Sequence, residues 1–294
     1  MKIFDVGIGW CNPVDGRFVK ELKSRLKKKK LSFREITLVN IKEDFDLIDK
    51  GLLNFRFFIN RSADDYSAYL LLAEKLKARG TKIINDPYST VHYSSKAFLY
   101  KLYKKEKLPL PKVFILNSSK KSKKVIDKIP KILGAPFVLK PAYGGGGDGV
   151  VLNAKNSKDI LNFIKDNNTD EGLAQEYIIP SIINGRVAWF RPIFVCGEVI
   201  PMWWNYGNHF YQEFGNSKKE NQISKILEKY MKKIHRLVGF DLFSAEFAIN
   251  EKGKYFIIDY ANEPIDLNTN KTAPDGLPSA TLEKIVTQIV KSIK

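Results

Sequence analysis

A lysine stands four residues ahead of a run of glycines in the stretch FVLKPAYGGGGDGVVL, residues 137–152. Glycines in such numbers let a backbone approach another group closely, because they carry no side chain. The lysine, Lys140, lies inside the apolar, strand-like segment PFVLK. A buried ammonium group carries a desolvation cost unless it meets an anion. The lysine and the loop together predict a contact with phosphate.

The residues after the glycines decide which kind of phosphate loop this is. A P-loop and a Rossmann loop both open a helix, and a P-loop also needs Gly-Lys-Ser/Thr. Here the glycines lead into VVLNA, which is a β-type sequence. The expected geometry is a hairpin whose tip folds over phosphates, although in protein kinases the lysine lies downstream of such a hairpin. The alternative is a flexible surface hairpin with a snorkelling lysine.

A second chemical signal is a pair of carboxylates in FSAEFAINEKGKYFIIDYANEP, residues 243–264. A turn centred on residues 252–253 would place Glu246 directly opposite Asp259. Like charges that face each other across a hairpin are destabilising, but a divalent cation between them makes the pair favourable. Asn262, just beyond, would add a neutral oxygen. The alternative is two carboxylates on a wet sheet face, each paired with a lysine, and the phosphate loop in the same chain favours the metal.

The composition indicates a folded protein with a strongly basic surface. Of its 294 residues, 44% are hydrophobic and 12% aromatic, and the formal net charge is +17. The lysines cluster in KSRLKKKK, YKKEK and SKKSKK. A basic chain can bind nucleic acid, an anionic membrane surface or acidic substrates. Because no helix-turn-helix, zinc-finger or RNA-recognition signature is present, we expect a solvated lysine-rich surface, no nucleic-acid partner, and an anionic substrate as an open alternative.

The chain carries no sequence signal for a membrane or for an oxidising compartment. No segment is long and apolar enough to cross a bilayer. The N-terminal MKIFDVGIGW predicts a first strand rather than a secretory signal. The two cysteines, Cys11 and Cys196, have neither a disulfide-framework nor a metal-ligand spacing. We therefore expect a cytoplasmic protein without a membrane partner, and homo-oligomerisation stays open.

The elements that must position these residues alternate between strands and helices, which is an α/β pattern with a parallel sheet. We take residues 1–88 as one α/β domain. Its predicted strands are residues 2–9, FREITLV, FRFFIN and KIIND. Its predicted helices run from Arg17 to about Lys30 and through DDYSAYLLLAEKLKARG, with Gly80 as the C-cap.

Beyond residue 88, the pattern predicts further helices and longer β segments. The predicted helices are YSSKAFLYKLYKKEKL with Ser94 or Ser95 as N-cap, KVIDKIPKIL, SKDILNFIKDN, SKILEKYMKKIHRLVG with Gly239 as its cap, and LEKIVTQIVKSIK. The predicted β segments are LPLPKVFIL, an edge-like strand at GLAQEYI, RVAWFRPIFVCGEVIPMWW and FSAEFAINEKGKYFIIDY.

The stretch KPAYGGGGDGV resembles the nucleotide-binding stretch of ATP-grasp enzymes. The residues that match its pattern are Lys140, Pro141, Gly144, Gly145, Gly147, Gly149 and Val150. The resemblance extends over most of the chain and implies an ATP-grasp fold with a Rossmann-like N-terminal domain. It implies a pre-ATP-grasp domain at 1–88, a small lobe with the glycine-rich loop at 89–178, and a C-terminal lobe with the magnesium-binding hairpin at 179–294.

The resemblance also implies which residues contact the nucleotide. IINDPYSTVHYSSK is similar to the segment that carries the family's earlier ATP-contacting lysine, here Lys96. AQEYI resembles the hinge between the two grasping subdomains. There Glu176 would accept from the adenine amino group, and the backbone of Tyr177 and Ile178 would read the ring edge. RPIFVCGEVI resembles the strand that carries a phosphate-contacting arginine, here Arg191.

The metal ligands that the resemblance implies are Glu246, Asp259 and Asn262. The family spacing is Glu-x-Asn, whereas this chain has Asp-Tyr-Ala-Asn, so Glu263 and Asp266 are alternatives to Asn262. The family's acidic residue two positions before the arginine is replaced by Trp189. The expected cofactors are ATP and Mg²⁺, with Mn²⁺ as the alternative metal.

The aromatic loop MWWNYGNHFYQEFGNSKKEN is comparable to a loop that lies near the acceptor substrate in this family. The side chains that could line a pocket there, or simply pack together, are Trp203, Trp204, His209 and Tyr211. In NRSADD, Arg61 follows a strand of the first domain. Similar arginines contact carboxylate substrates in some family members.

The family's usual reaction joins a carboxylate to an amine through an acyl phosphate. Lys140, Lys96 and the loop amides would stabilise charge on the phosphates, Arg191 would contact them, and Mg²⁺ would bridge them. We therefore predict an ATP-dependent ligase acting on a small-molecule or peptide acid and amine. Two alternatives stay open: a kinase of the same fold that resembles the inositol polyphosphate kinases, and a non-catalytic nucleotide-binding module.

Overall fold

The computed structural model describes residues 1–63, 65–117, 123–167 and 171–293. The predicted lysine cluster SKKSKK, residues 119–124, lies mostly outside the described residues. The chain divides into two compact units. The first unit comprises residues 1–92, 190–244 and 261–294, and the second comprises residues 93–189 and 245–260. The three predicted domains, with boundaries at residues 88 and 178, stay a prediction.

The N-terminal part of the first unit alternates strands and helices, as predicted. Its elements are β1 (Lys2–Gly9), α1 (Gly16–Lys28), β2 (Phe33–Ile36), α2 (Ile41–Asp49), β3 (Leu53–Asn60), α3 (Ser67–Ala78), β4 (Lys82–Ile84) and α4 (Pro87–His92). The strands form a parallel sheet in the order β2-β1-β3-β4. FREITLV is a strand only as far as Ile36. Helix α2 follows shortly after it and was not predicted, because its nine residues are strongly charged.

Helices cover both faces of this parallel sheet. On one face, Val6 and Ile8 belong to the same buried cluster as Leu22 of α1. On the other face, Phe58 packs in a cluster with Tyr69 of α3. Gly9 in β1 has no room for a side chain, since a Cβ there would lie 2.8 Å from the Tyr69 ring. The glycines of the segment GIG therefore serve packing inside the strand.

The second unit begins with the segment that contains the glycine loop. Its elements are α5 (Lys96–Lys105), β5 (Val113–Asn117), α6 (Lys123–Ile126), α7 (Ile129–Leu133), β6 (Phe137–Pro141), β7 (Val151–Ala154), α8 (Ser157–Asp166), β8 (Glu171–Glu176), β9 (Ile182–Ile183) and β10 (Arg186–Val187). KVIDKIPKIL forms two short helices because Pro130 fits only the first turn of a helix.

The sheet of this unit has the order β5-β8-β6-β7. The prediction of an edge-like strand at GLAQEYI was wrong. Strand β8 is central, and its Ala174 pairs with Phe114 of β5 and with Leu139 of β6. The residues of a strand do not show whether it has one neighbouring strand or two, so its place in the sheet could not be read from GLAQEYI.

The rest of the chain supplies antiparallel strands and two long helices. The elements are β11 (Trp189–Phe190), β12 (Ile193–Val195), β13 (Glu198–Ile200), β14 (Met202–Asn205), β15 (Phe210–Glu213), α9 (Lys218–Val238), β16 (Leu242–Ile249), β17 (Tyr255–Asn262) and α10 (Ser279–Ser292). In the first unit, β12 pairs with β13 and with the start of β16, and β14 pairs with β15. None of the described helices combines the length and apolar character that a membrane span requires.

Helix α9 starts six residues earlier than predicted because of a capping box between Ser217 and Glu220. The Glu220 carboxylate accepts hydrogen bonds from Ser217 Oγ at 2.7 Å, Gly215 N at 3.0 Å and Trp203 Nε1 at 3.0 Å. These bonds, the Ser217 side chain first, lower the pKa of Glu220 to about 2. At the other end, Gly239 adopts φ +72° as the predicted C-cap.

Replacing Glu220 with glutamine should lower the melting temperature at neutral pH. A carboxylate with a depressed pKa stabilises the fold above its unfolded pKa of about 4.3, and this contribution fades as the pH falls through the folded pKa of about 2. Melting curves of wild type and Glu220→Gln from pH 7 to pH 2 should therefore converge below pH 4. A gap in melting temperature that stays constant over this range would contradict the assigned role.

Candidate active site

The glycine loop joins two antiparallel strands, as the sequence predicts. Strands β6 and β7 pair through Phe137 with Ala154 and through Leu139 with Val151. At positions 144–147, an added Cβ would meet no atom within 4 Å. Gly144 has φ +91°, a conformation that only glycine adopts without strain. The loop therefore exposes its backbone amides, which is the property that a phosphate lid needs.

Lys96 is tied to this loop by its backbone and by its side chain. It is the first residue of α5, and Ser95 is the N-cap, since Ser95 Oγ accepts from Phe98 N at 3.2 Å. Lys96 N donates to Ala142 O at 2.7 Å. Lys96 Nζ donates to Gly144 O at the first glycine of the loop. The two parts of the predicted phosphate site, the earlier lysine and the glycine loop, are thus in direct contact.

Lys140 is buried, as the apolar strand around it predicts, and its side chain is only 7% exposed. Its Nζ donates to Ile258 O at 2.9 Å. Burial lowers the pKa of Lys140, while the charges of Asp259 and Glu246 oppose that shift and the charge of Lys96 adds to it. The structure thus brings two lysines and two carboxylates, all predicted as site residues, within electrostatic range of one another.

The turn between β16 and β17 differs from the predicted one. Gly253 N donates to Asn250 O at 2.8 Å, and Asn250 N donates to Lys254 O at 3.0 Å. Residues 251–253 form a three-residue loop that ends in the left-handed Gly253, at φ +71°. The closing pair is thus centred on residue 252, and not between residues 252 and 253. The predicted turn geometry was therefore wrong by one position, although the charges of both Glu246 and Asp259 act on Lys140.

Trp189 supplies a contact that the sequence did not indicate. Its Nε1 donates to Glu246 Oε2 at 3.1 Å. Its ring packs on the apolar cluster of Ile178, Ala248 and Phe256. In the sequence, this residue was visible only as a departure from the family pattern. The structure shows that it fixes one oxygen of the Glu246 carboxylate.

Two buried tyrosines lie within electrostatic range of Asp259. Tyr103 and Tyr260 both have raised pKa values, first because of burial and then because of the negative charge of Asp259. Tyr103 OH donates to Tyr260 O at 3.2 Å. The Tyr260 hydroxyl lacks a hydrogen-bond partner among the described residues. Neither tyrosine was a predicted site residue, because aromatic residues in α5 and β17 read as ordinary core.

The predicted hinge residues lie at the end of β8, whose last residue is Glu176. Glu176 Oε2 accepts from Lys112 N at 2.9 Å, and Glu176 N donates to Lys112 O at 2.8 Å. Ile178 is buried in the cluster that also contains Trp189. One carboxylate oxygen of Glu176 therefore fixes the neighbouring chain. The adenine contacts of Glu176, Tyr177 and Ile178 stay a prediction.

In the first unit, the predicted phosphate-contacting arginine lies beside the aromatic loop. The Arg191 guanidinium carbon is 4.7 Å from the centroid of the Trp204 ring. Trp204 in turn stacks on His209, with centroids 5.3 Å apart, and contacts Tyr211 at 4.4 Å. Three residues that were predicted for two separate roles, Arg191, His209 and Tyr211, therefore surround one tryptophan ring.

Arg61 is buried in an ion pair. Its Nη2 donates to Asp15 Oδ1 at 2.8 Å and to Ile265 O at 2.7 Å, and its side chain is 5% exposed. Burial raises the pKa of Asp15, and Arg61 opposes that rise. These contacts are structural ones. The contact of Arg61 with a carboxylate substrate stays a prediction.

Asn262 ends β17 and belongs to the first unit, together with Glu263 and Asp266. Its Nδ2 is buried and has no hydrogen-bond partner among the described residues. Within the described part of the chain, no cluster of three or more His, Cys, Asp or Glu side chains is arranged to hold a metal ion. The three-ligand set of Glu246, Asp259 and Asn262 therefore stays a prediction.

The donor set of the second unit nevertheless fits Mg²⁺ and a nucleotide. Mg²⁺ is commonly held by one or two carboxylates together with substrate phosphates. Glu246 and Asp259 are two such carboxylates, and both act on the buried Lys140. Lys96, Lys140 and the exposed loop amides are the cations and donors that phosphate oxygens accept from.

The glycine hairpin of β6 and β7 has the buried Lys140 at its base, and two carboxylates lie within electrostatic range of that lysine. This arrangement is typical of the ATP-grasp class. Residues 93–270 match the family model of the RimK-like ATP-grasp domain. The match spans more than half of the chain, and the chain belongs to the RimK-like ATP-grasp family. The predicted ATP-grasp superfamily and its ATP-binding character are thereby confirmed.

The structure is also similar to solved ATP-grasp proteins along nearly the whole chain. D-alanine–D-alanine ligase from Bacillus anthracis, complexed with ATP, is 15% identical with a TM-score of 0.67, covering 98% of this chain and 96% of that one. ATP-grasp ligase PsnB, complexed with precursor peptide PsnA2 and AMPPNP, is 13% identical with a TM-score of 0.68, covering 100% and 99%. A RimK domain ATP-grasp protein from Sphaerobacter thermophilus is 13% identical with a TM-score of 0.62, covering 98% of each chain.

At these identities, the similarity shows the fold alone, and it confirms the predicted ATP-grasp fold. No curated protein sequence matches this chain.

Proposed function

We propose that this protein is an ATP- and Mg²⁺-dependent ligase that joins a carboxylate to an amine through an acyl phosphate. The observation that carries the proposal is the placement of Lys140. Its buried ammonium group stands at the base of an exposed glycine loop and within electrostatic range of Glu246 and Asp259. Two solved relatives of the fold, a D-alanine–D-alanine ligase and the PsnB ligase with its precursor peptide, support a small-molecule or peptide substrate.

In this proposal, the chain's own residues bind and orient the phosphates. Lys140 and Lys96 place positive charge beside the phosphates, and the amides of residues 144–147 donate to the phosphate oxygens. Arg191 contacts the transferred phosphoryl group. Glu246, oriented by Trp189, and Asp259 would hold Mg²⁺, which when bound neutralises charge on the phosphate oxygens.

The reaction needs no nucleophilic side chain from the protein. A carboxylate oxygen of the substrate attacks the γ-phosphorus, and the bond to the β-phosphate oxygen breaks to release ADP. The amine nitrogen then attacks the acyl carbon and expels inorganic phosphate, which takes up the proton that the nitrogen loses. The protein positions the reactants and stabilises the charge that develops. It also excludes water, which would hydrolyse the acyl phosphate.

Hydroxylamine should trap the acyl phosphate. The protein is incubated with Mg-ATP, a panel of amino acids and short acidic peptides, and hydroxylamine in large excess, so that hydroxylamine outcompetes the amino groups of the panel. Hydroxylamine is a strong small nucleophile and should capture the activated carboxylate. We expect ADP release together with a hydroxamate, measured by a coupled ADP assay and by the coloured ferric hydroxamate complex.

Two results would count against the ligase. A stable phosphate ester formed on a polyol, with no hydroxamate, would identify a kinase of the same fold. No ADP release with any acid or polyol, despite nucleotide binding, would identify a non-catalytic nucleotide-binding module. Reactions that lack the acid panel give the background rate of ATP hydrolysis.

A further inference from the structure

We infer that Trp204 and Ser244 are positioning residues that hold the Arg191 guanidinium in a fixed orientation. The inference rests on the proposed function, in which Arg191 contacts the transferred phosphoryl group. It assigns to the aromatic loop a role in nucleotide chemistry, whereas the sequence suggested a role in binding the acceptor. All of the residues involved lie in the first unit.

The guanidinium group is held from two directions. Its carbon lies over the Trp204 ring, 4.7 Å from the ring centroid. Its Nε donates to Ser244 Oγ at 3.2 Å. The backbone is fixed as well, since Arg191 N donates to Met202 O at 3.0 Å on β14. The backbone N, the Nε and the guanidinium carbon of Arg191 are thus each held by a neighbouring residue.

Trp204 is itself restrained by its neighbours. It is 6% exposed and pairs across the β14–β15 hairpin with Tyr211. The Tyr211 ring lies 4.4 Å from the Trp204 ring, and the His209 ring stacks on Trp204 at an interplanar angle of 10°. His209 N donates to Asn205 O at 2.7 Å, which closes the hairpin tip. The indole therefore offers a rigid platform.

A rigid platform matters because arginine is flexible and its charge is directional. A guanidinium group stacks on aromatic faces, and its planar N–H groups match phosphate oxygens only in the right orientation. Ordering the side chain before the nucleotide binds removes an entropy cost from the binding step. It also keeps the donor where charge develops in the transition state.

A double-mutant cycle tests whether Trp204 acts through Arg191. We expect Trp204→Leu to lower kcat/KM for ATP by about tenfold, a loss of about 1.4 kcal/mol that lies between the values for exposed and desolvated cation–π contacts. In an Arg191→Ala background, the same change should have no further effect. Trp204→Phe, which keeps an aromatic face, should recover most of the activity. Fully additive effects in the double variant would overturn the inference.

Trp203 offers a matched control. It precedes Trp204 on β14, points to the opposite face of the strand, and is 4% exposed. Its Nε1 bonds to Glu220, and its ring packs on Phe190 and Phe214. Trp203→Leu should lower the melting temperature without changing the effect of Arg191→Ala on kcat/KM. If Trp203 couples to Arg191 as strongly as Trp204 does, the effect of Trp204 is one of general packing.

A second readout needs neither nucleotide nor activity. Phenylglyoxal modifies accessible arginines, and peptide mass spectrometry gives the rate at Arg191 in the nucleotide-free protein. Trp204→Leu and the milder Ser244→Ala should each raise that rate, with Trp204→Phe close to wild type. Unchanged rates in both variants would overturn the inference. If wild type releases no ADP but these rates rise, the proposed function fails while the positioning of Arg191 stands.

Discussion

Replacing Lys140 by methionine should weaken nucleotide binding by about tenfold to a hundredfold while the protein stays folded. The change removes a buried ammonium group and keeps most of the apolar stem. A hydrogen bond to a charged group contributes about 1.5–3 kcal/mol, which corresponds to this range of affinities. Because burial lowers the pKa of Lys140, an anion at Nζ is the partner that would most stabilise its charged form. Calorimetric titration with AMPPNP and Mg²⁺ measures the effect.

A surface lysine of the same unit provides the control for this prediction. Lys101 lies on α5, and its side chain is 62% exposed, with Glu171 at 3.6 Å. A pair so exposed contributes little to stability or binding. Lys101→Met should therefore bind AMPPNP as wild type does. Wild-type affinity in a folded Lys140→Met variant, judged by its circular dichroism, would remove Lys140 from the nucleotide site.

Asp259→Asn should lose most of the rise in melting temperature that Mg-ATP gives to wild type. A ligand that binds only the folded state at a hundred times its Kd adds about 2.7 kcal/mol to the free energy of unfolding. Asparagine keeps the shape of the side chain but removes the charge that Mg²⁺ requires. Thermal melts with ATP alone, Mg²⁺ alone and both together separate the metal-dependent part.

The same hairpin contains a carboxylate that should not matter. Glu251 is an exposed residue of the three-residue loop between β16 and β17. Glu251→Gln removes the same charge from the same hairpin, so its melts with Mg-ATP should match those of wild type. If Asp259→Asn gains as much from Mg-ATP as wild type and Glu251→Gln do, Asp259 is not a metal ligand. Its only role in the site would then be to stabilise the charge of the buried Lys140.

Local signals in the sequence predicted much of the candidate phosphate site. A run of glycines between two β-type segments predicts a hairpin, because both the loop and the strand pairing depend on neighbouring residues. A lysine in an apolar strand predicts a buried cation for the same reason. The helix caps at Ser95 and Gly239 are equally local, since a cap involves residues within one turn of the helix.

The strand order and the turn register depended on distant partners. Strand β8 is central because β5 and β6 lie on its two edges, and nothing within GLAQEYI indicates how many neighbours it has. The hairpin of Glu246 and Asp259 has a three-residue loop because Gly253 takes a left-handed conformation. A symmetrical count along the sequence missed this, because it assumed a loop centred between residues 252 and 253.

The chemistry of the site was decided by contacts between residues far apart in the chain. Lys140 bonds to Ile258, 118 residues away, and Trp189 bonds to Glu246, 57 residues away. The sequence shows Arg61 only as an arginine that follows a strand, whereas in the structure it is buried and bonded to Asp15 and Ile265. The sequence by itself therefore predicted which residues could contact phosphate and metal. Only the tertiary structure decided which side chains hold these residues in place. Such contacts join segments that are far apart in the chain, and nothing in either segment indicates its partner.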